Sequence, residues 1–545
     1  MKAAMTYINK VRFRCSWGII LQRLGLLVFV VIVFGPLLVL VAESGQSLLA
    51  GNGEWLTLAI PMGRRLVLLI RTLGLAASVA AGGIVLGILV GSILWRWHSG
   101  LGSYLRWLVL VLAPVPPYVH ALAWSSCINT VNSTLRGLGW PDIPLRGWMG
   151  SWWVQLMALA PMAVGLALVG LESVEPALID AARVMCPDIR SLARVALPLA
   201  APAIMAGGGF LFLLSLMDYS VPSLFEMNVY SLEIFAEYSA SSRLTRAFLL
   251  ALPLLLVAVG VVLVSQSALR NAAQSPAWRI PAWEAAPAWP AWFVWLQWAA
   301  VAILVAQIAV PLLSLTAAVG TWENMTSTAA SARSEITFTF WITALTAVVC
   351  LPMALAAAKE LVRSDKWGRL WWVLVTAPLA IPPPLIGIGL IAIWNRPMFL
   401  DVYGSSLMPM FAALARFTPL AAIVLLAQLR RIDPLLIDAA WVIQANPFRT
   451  WIQIRLPMLA PGLLAAAGIA FALTTGELGA TLLVAPPGQA TLTMRIYNFL
   501  HYGASSMVAG LCLMMAVAAL VAGLLAVVAL AGWSRLFPIS GARRI

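Results

Sequence analysis

PALIDAARVMCPDIRSLARVALPLAAP occupies residues 176–202, and PLLIDAAWVIQANPFRTWIQIRLPMLAP occupies residues 434–461. Each segment lies between two long apolar runs, and the two share Ile-Asp-Ala-Ala, with Asp180 and Asp438 258 residues apart. A polar segment repeated in an otherwise apolar chain predicts two equivalent loops that present one surface outside the bilayer. We expect their partner to have two-fold symmetry.

The composition places the chain in a membrane. Hydrophobic residues make up 62% of its 545 residues and charged residues only 10%, and many apolar runs are long enough to cross a hydrocarbon core of about 30 Å. We predict twelve transmembrane helices, near 19–42, 72–95, 105–127, 152–171, 199–217, 247–267, 293–318, 338–358, 370–394, 407–428, 458–476 and 505–533. The fold class predicted is therefore an all-α polytopic membrane protein made of two homologous six-helix halves.

A segment rich in Pro, Ala and Trp separates the two sets of six spans. It predicts a first transmembrane half at 1–269, a linker at 270–292 and a second transmembrane half at 293–545. The tryptophans of this linker favour the headgroup region of a membrane.

The basic residues predict the orientation. Most Lys and Arg flank the spans on the side of the two termini, and such residues are retained in the cytoplasm, so we expect both termini and the linker there. This bias, with attraction to anionic membrane lipid, accounts for the net charge of +14 and leaves no case for nucleic-acid binding.

The third span of each predicted half carries several prolines. LAPVPPYVHALAW runs over residues 112–124 and APLAIPPPLIGIGLIAIW over residues 377–394. Proline removes a backbone donor and kinks a helix, so we predict that both spans are bent or broken.

Charged residues inside spans are costly and are candidates for function. Asp218 and Glu477 are 259 residues apart, and each follows its Leu-Pro by about 20 residues. They could face a shared pathway, which would suit a hard cation, or stabilise a gate by hydrogen bonds at helix ends. Arg416 has Ala158 as its counterpart and could pair with Glu477 or line the pathway.

Each repeated loop reads as two short helices that lead to a Leu-Pro at the start of the next span. Both loops resemble the cytoplasmic EAA loop of permeases of type I ATP-binding-cassette importers, in which a coupling helix docks into the ATPase. Asp stands where that family usually has Glu, and Cys186 and Gln444 stand where it usually has Gly. The residues that the resemblance assigns to ATPase docking are Asp180, Ala181, Ala182, Arg183, Pro198, Asp438, Ala439, Ala440, Trp441 and Pro457.

The resemblance implies a transport subunit of a bacterial inner membrane. Two ATPase subunits, which bind ATP and Mg²⁺, and a periplasmic binding protein would be its partners. The chain itself has no phosphate-binding loop of the Gly-Lys-Ser/Thr type, because none of its four lysines follows a glycine, and we expect no enzyme activity and no cofactor in it.

The favoured cargo is ferric iron, because residues 112–124 and 215–235 look most like ferric iron permeases. Thiamine, a polyamine or a phosphonate are the alternatives in the same class. The three histidines and five cysteines are too dispersed for a metal site or a disulfide framework. A proton-coupled secondary transporter and an anchoring protein without a pathway are alternatives from other classes.

Overall fold

A computed structural model describes residues 2–51, 53–96, 101–112, 115–274, 288–363, 365–433, 435–436, 447–500 and 506–536. The α-helices described up to residue 274, the N-terminal part, are α1 (Lys2–Leu49), α2 (Arg64–Arg96), α3 (Leu101–Leu112), α4 (Pro117–Gly137), α5 (Gly147–Glu172), α6 (Pro176–Met185), α7 (Asp188–Ser191), α8 (Leu197–Met217), α9 (Ser220–Leu224), α10 (Tyr230–Ser241) and α11 (Leu244–Gln274).

The α-helices described from residue 288 onward, the C-terminal part, are α12 (Ala291–Val319), α13 (Trp322–Ser331), α14 (Arg333–Leu361), α15 (Lys366–Thr376), α16 (Pro383–Trp394), α17 (Leu400–Tyr403), α18 (Leu407–Arg431), α19 (Pro447–Thr450), α20 (Leu456–Thr475), α21 (Thr481–Val484), α22 (Leu492–Leu500) and α23 (Ser506–Leu536).

The chain is an all-helical, multi-pass membrane protein. Among the described residues, ten helices are long and apolar enough to cross a membrane, and a bent pair raises the number to eleven. The remaining predicted span, near 105–127, falls on α3 and α4, which flank residues 113–114, outside the described ranges. Of the linker predicted at 270–292, α11 includes the first residues up to Gln274 and α12 begins at Ala291, and residues 275–287 lie outside the described ranges.

Prolines set the breaks in the third spans. The bent pair turns by 99° between 366–380 and α16, which begins at Pro383, as the sequence predicted. In the N-terminal part α4 begins at Pro117. A proline at the first helical position costs no hydrogen bond, since that N–H has no partner within the helix in any case.

The two parts of the chain exchange their first long helices. Helix α1 packs against α14, α16 and α18 and also against α11 of its own part, whereas α12 packs against α2, α4 and α5 and also against α23 of its own part. Gly389 lets α16 approach α1, because a Cβ there would lie within van der Waals overlap of the Pro36 backbone. Each part therefore depends on the other for one wall of its bundle.

The second short helix of each predicted loop is not separate from the next span, which corrects the sequence-based expectation. Helix α7 continues into α8 through a π-helical turn at Leu192–Ala196, and the same turn at Trp451–Arg455 joins α19 to α20. Pro198 and Pro457 follow these turns. A proline ring clashes with the carbonyl four residues earlier, and the wider π turn relieves that clash.

Candidate functional site

The N-terminal loop forms an elbow of α6 and α7 with an exposed apolar tip. Ile179, on the inner side of α6, is buried, whereas Val184 and Met185 at the end of the same helix are 85% and 86% exposed. Asp180 and Ala181, two of the predicted docking residues, are also exposed on α6. Large apolar side chains with so much of their surface exposed, next to the small side chains of Asp180 and Ala181, are typical of a surface that a partner covers.

An ion pair fixes the angle of this elbow. Arg183 Nε donates to Asp188 Oδ1 over 2.9 Å, and both side chains are mostly buried. The other oxygen of Asp188 accepts a hydrogen bond from the Ala288 backbone N–H, just before α12. The elbow is thus tied to the chain segment that leads into the C-terminal part.

The C-terminal elbow can be described only in part. Asp438, Ala439, Ala440 and Trp441 lie outside the described residues. Pro457 lies in the first turn of α20, as Pro198 lies in the first turn of α8.

A cavity of about 160 Å³ lies between helices of the N-terminal and C-terminal parts. The starts of α4 and α16 and parts of α5, α8, α18 and α20 line it. Its polar and aromatic lining residues are Tyr118, Gln155, Asp218, Tyr219, Ser220, Arg416, Phe417 and Glu477. The structure thus brings the three charged residues singled out from the sequence, which are 259 residues apart at most, to one cavity.

Asp218 ends α8 and accepts three hydrogen bonds. Ser220 donates to Oδ1 from its backbone N–H over 2.9 Å and from its hydroxyl over 2.6 Å. Gln155 Nε2 donates to Oδ2 over 3.0 Å, and Ser215 holds that amide by donating to Gln155 Oε1. Neutral donors from two neighbouring helices therefore surround the carboxylate.

Glu477 follows α20, and its side chain is fully buried. Oε1 accepts from Arg416 over 2.5 Å and from the Ala480 N–H over 3.0 Å, and Oε2 accepts from the Thr481 N–H over 2.9 Å. Of the two alternatives for Arg416, the pair with Glu477 is present in the structure, and the Arg416 side chain, which is 24% exposed, also lines the cavity.

The hydrogen bonds occupy both oxygens of each carboxylate. Each carboxylate accepts from backbone N–H groups near the start of a short helix, α9 or α21, where negative charge is favoured. This geometry favours hydrogen bonding at helix ends over direct coordination of a cation. In the described residues no group of three or more His, Cys, Asp and Glu side chains is placed to hold a metal ion.

Two glycines let the Glu477 segment contact both broken spans. A Cβ on Gly476 would lie 3.0 Å from the Pro116 ring, next to α4, and one on Gly479 would lie 2.6 Å from Pro383 of α16. The segment 476–479 thus bridges the restarting helices of the two parts.

Sequence reasoning missed Gln155 and Tyr219. Gln155 lies one turn from Ala158, the counterpart of Arg416, so a search of that helix face for a polar partner would have found it. Tyr219 is adjacent to Asp218, lines the cavity, and has a buried hydroxyl without a protein partner. A single tyrosine does not stand out in so apolar a sequence, so no pattern indicated its position at the cavity.

Comparison with known proteins identifies the family. Residues 349–533 match the family described as binding-protein-dependent transport system inner membrane component. Over 192 residues the chain is 31% identical to the molybdenum transport system permease protein ModB of Haemophilus influenzae, a match that covers 32% of this chain and 83% of ModB. The chain belongs to this family of transport-system membrane components.

Other relatives are matched over shorter stretches. The putative 2-aminoethylphosphonate transport system permease protein PhnV of Salmonella typhimurium is 27% identical over 150 residues, 28% of this chain and 55% of that protein. PhnU of Salmonella typhi, a putative permease protein of the same transport system, is 37% identical over 87 residues, 16% of this chain and 30% of that protein. The chain therefore spans about half of PhnV and less than a third of PhnU.

Proposed function

We propose that this chain is the permease of an ATP-driven, binding-protein-dependent importer and that both of its halves enclose one substrate pathway. The single observation that carries this proposal is the exposed elbow of α6 and α7, with its apolar tip and its fixed angle. Family membership supports it, because the family description names a binding-protein-dependent transport system.

In this proposal two ATPase subunits bind ATP and Mg²⁺, and each binds one elbow in the cytoplasm. Both termini of the chain lie on the same side. A periplasmic binding protein delivers substrate to the opposite face of the inner membrane. Closure of the ATPase pair moves the elbows, and the bundle alternates between two conformations that open on opposite sides. The matched breaks at Pro117 and Pro383 and the matched π turns support the two-half organisation.

For the cargo, we propose a small oxyanion or phosphonate ahead of ferric iron. The names of the relatives, molybdenum and 2-aminoethylphosphonate transport, support an oxyanion. The Arg416 side chain lines the cavity and is 24% exposed, and the buried hydroxyl of Tyr219, another lining residue, has no protein partner. Ferric iron is the second candidate, because Asp218 and Glu477 also line the cavity.

Docking is tested by charge placed on the elbows. Ala181→Glu together with Ala439→Glu should abolish co-purification with the cognate ATPase, since two buried carboxylates would be desolvated in the interface. The matched control is Ala240→Glu, an exposed alanine at the end of α10 on the opposite face, which should leave co-purification intact. Undiminished association of the double variant would refute the docking assignment.

Cargo and energy source are tested by uptake. The chain with its ATPase and binding protein in liposomes should take up molybdate or 2-aminoethylphosphonate when ATP is enclosed, and not when a proton gradient replaces ATP. Uptake of ferric citrate, without uptake of molybdate or 2-aminoethylphosphonate, would instead identify ferric iron as the cargo. Uptake driven by the gradient without ATP would instead support a secondary transporter.

A further inference from the structure

Helices α10 and α22 pack on residues that line the cavity, beyond the ends of α8 and α20 that lie away from Pro198 and Pro457. The ring of Phe235 on α10 stacks on Tyr219 at 6.2 Å, and the hydroxyl of Thr493 on α22 lies 3.2 Å from that of Tyr118. Tyr118 and Tyr219 both line the cavity. A displacement of α10 or α22 would therefore change the packing of a residue that lines the cavity.

Both helices are attached to long helices by the same hydrogen bond. The first N–H of α10, at Tyr230, donates to Thr72 Oγ1 of α2 over 2.9 Å. The first N–H of α22, at Leu492, donates to Thr339 Oγ1 of α14 over 2.8 Å. In each case the threonine hydroxyl donates to the carbonyl four residues earlier in its own helix, so its oxygen is oriented to accept.

Each attachment also has an ion pair, and the two pairs have opposite polarity. Glu233, the fourth residue of α10, accepts from Arg64 of α2 over 2.8 Å. Arg495, the fourth residue of α22, donates to Glu335 of α14 over 2.5 Å. Equivalent positions thus carry an acid in one helix and a base in the other.

The two ion pairs differ in register on the long helices, because Arg64 lies eight residues before Thr72 whereas Glu335 lies four residues before Thr339. The pairs also differ in exposure, at 66% and 22% for Arg64 and Glu233 against 16% and 16% for Arg495 and Glu335. Water screens the first pair more than the second, so the second should hold more strongly.

We propose that α10 and α22 are the gate of the cavity on the face opposite the elbow, and that Arg64–Glu233 and Glu335–Arg495 are latches that keep it closed. Neutralising one latch partner removes stability from the closed state only, and the population shifts toward the open state by the same free energy. The inference rests on the proposed pathway for its purpose, but its test needs neither an ATPase nor a substrate.

The test measures access to the cavity. A cysteine replaces Ala158, which lines the cavity, and a membrane-impermeant maleimide is added on the side opposite the elbow, with the labelling of the parent cysteines subtracted. Glu335→Gln should raise the labelling rate about tenfold, because it leaves a mostly buried arginine uncompensated. Glu233→Gln should raise it about threefold, the range of an exposed pair.

A charge exchange separates a latch from a general loss of structure. Glu233→Arg alone should raise the rate more than Glu233→Gln, and the double variant Arg64→Glu with Glu233→Arg should return it to that of the parent. The matched control is Arg136→Gln, which breaks the exposed ion pair between Arg136 and Asp142, 3.4 Å apart. Neither of these residues belongs to α10 or α22. Parent-like rates in both Gln variants, an equal rise in the control, or failure of the double variant to restore the rate would each overturn the proposal.

Discussion

At the scale of single residues, the cavity contains two carboxylates with different compensation. Glu477 has a guanidinium partner and Asp218 has an amide, so only the first pair carries buried opposite charges. Breaking a buried ion pair by removing one charge leaves the other uncompensated, whereas loss of a neutral donor removes one hydrogen bond. The two sites should therefore respond differently to equivalent substitutions.

The first prediction uses this difference. Glu477→Gln should destabilise the protein by about 3 kcal/mol, because Arg416 keeps its charge without a partner. Adding Arg416→Met should recover part of that loss, whereas Gln155→Met, the neutral counterpart, should cost about 1–2 kcal/mol. Denaturation of the purified variants in mixed micelles measures all three, and additive losses in the double variant would contradict the ion pair.

The second prediction concerns the contact between Glu477's segment and α16. Gly479→Ala would place a Cβ 2.6 Å from the Pro383 ring, and overpacking of this kind costs about 1–3 kcal/mol. Gly468→Ala is the control, since its Cβ would meet Ala526 at an ordinary 3.5 Å. Thermal melting should separate the two variants by several degrees, and equal melting temperatures would argue against a tight contact.

At the scale of elements, the π turns decide how the elbow is presented. A π turn holds one residue more than an α turn for the same rotation, so its loss would rotate the preceding α7 by about 100° relative to α8. Such a rotation would move Asp188 and break its contact with Arg183. The geometry of the proposed docking surface is thus linked to one proline.

The third prediction follows from this link. Pro198→Ala should allow a regular α-helix from Asp188 onward, faster hydrogen exchange in α6, and weaker association with the ATPase. Pro202→Ala is the control, because Pro202 also lies inside α8 but without a π turn before it. Unchanged exchange in α6 after Pro198→Ala would show that other contacts maintain the turn.

At the scale of the whole molecule, sequence reasoning found what is local or repeated. The duplicated loops, the proline breaks and the positions of Asp218, Glu477 and Arg416 could all be read from spacing. The π turns could not, because they balance a proline clash against packing. The contacts of α10 and α22 and the exchange of α1 and α12 also depend on residues far apart in sequence, for which a single chain gives no signal.

The exchange of α1 and α12 leads to the last prediction. Separate fragments 1–280 and 281–545 should co-purify when expressed together, because α12 of the second fragment covers α2, α4 and α5 of the first. Fragment 1–280 alone leaves those helix faces open and should aggregate in detergent. Fragment 1–320 is the matched control, since it retains α12, and it should give a sharper peak on size exclusion. If 1–280 were as well behaved alone as 1–320, the packing of α12 would contribute little to the N-terminal part, and that helix would be only a neighbour rather than a shared wall.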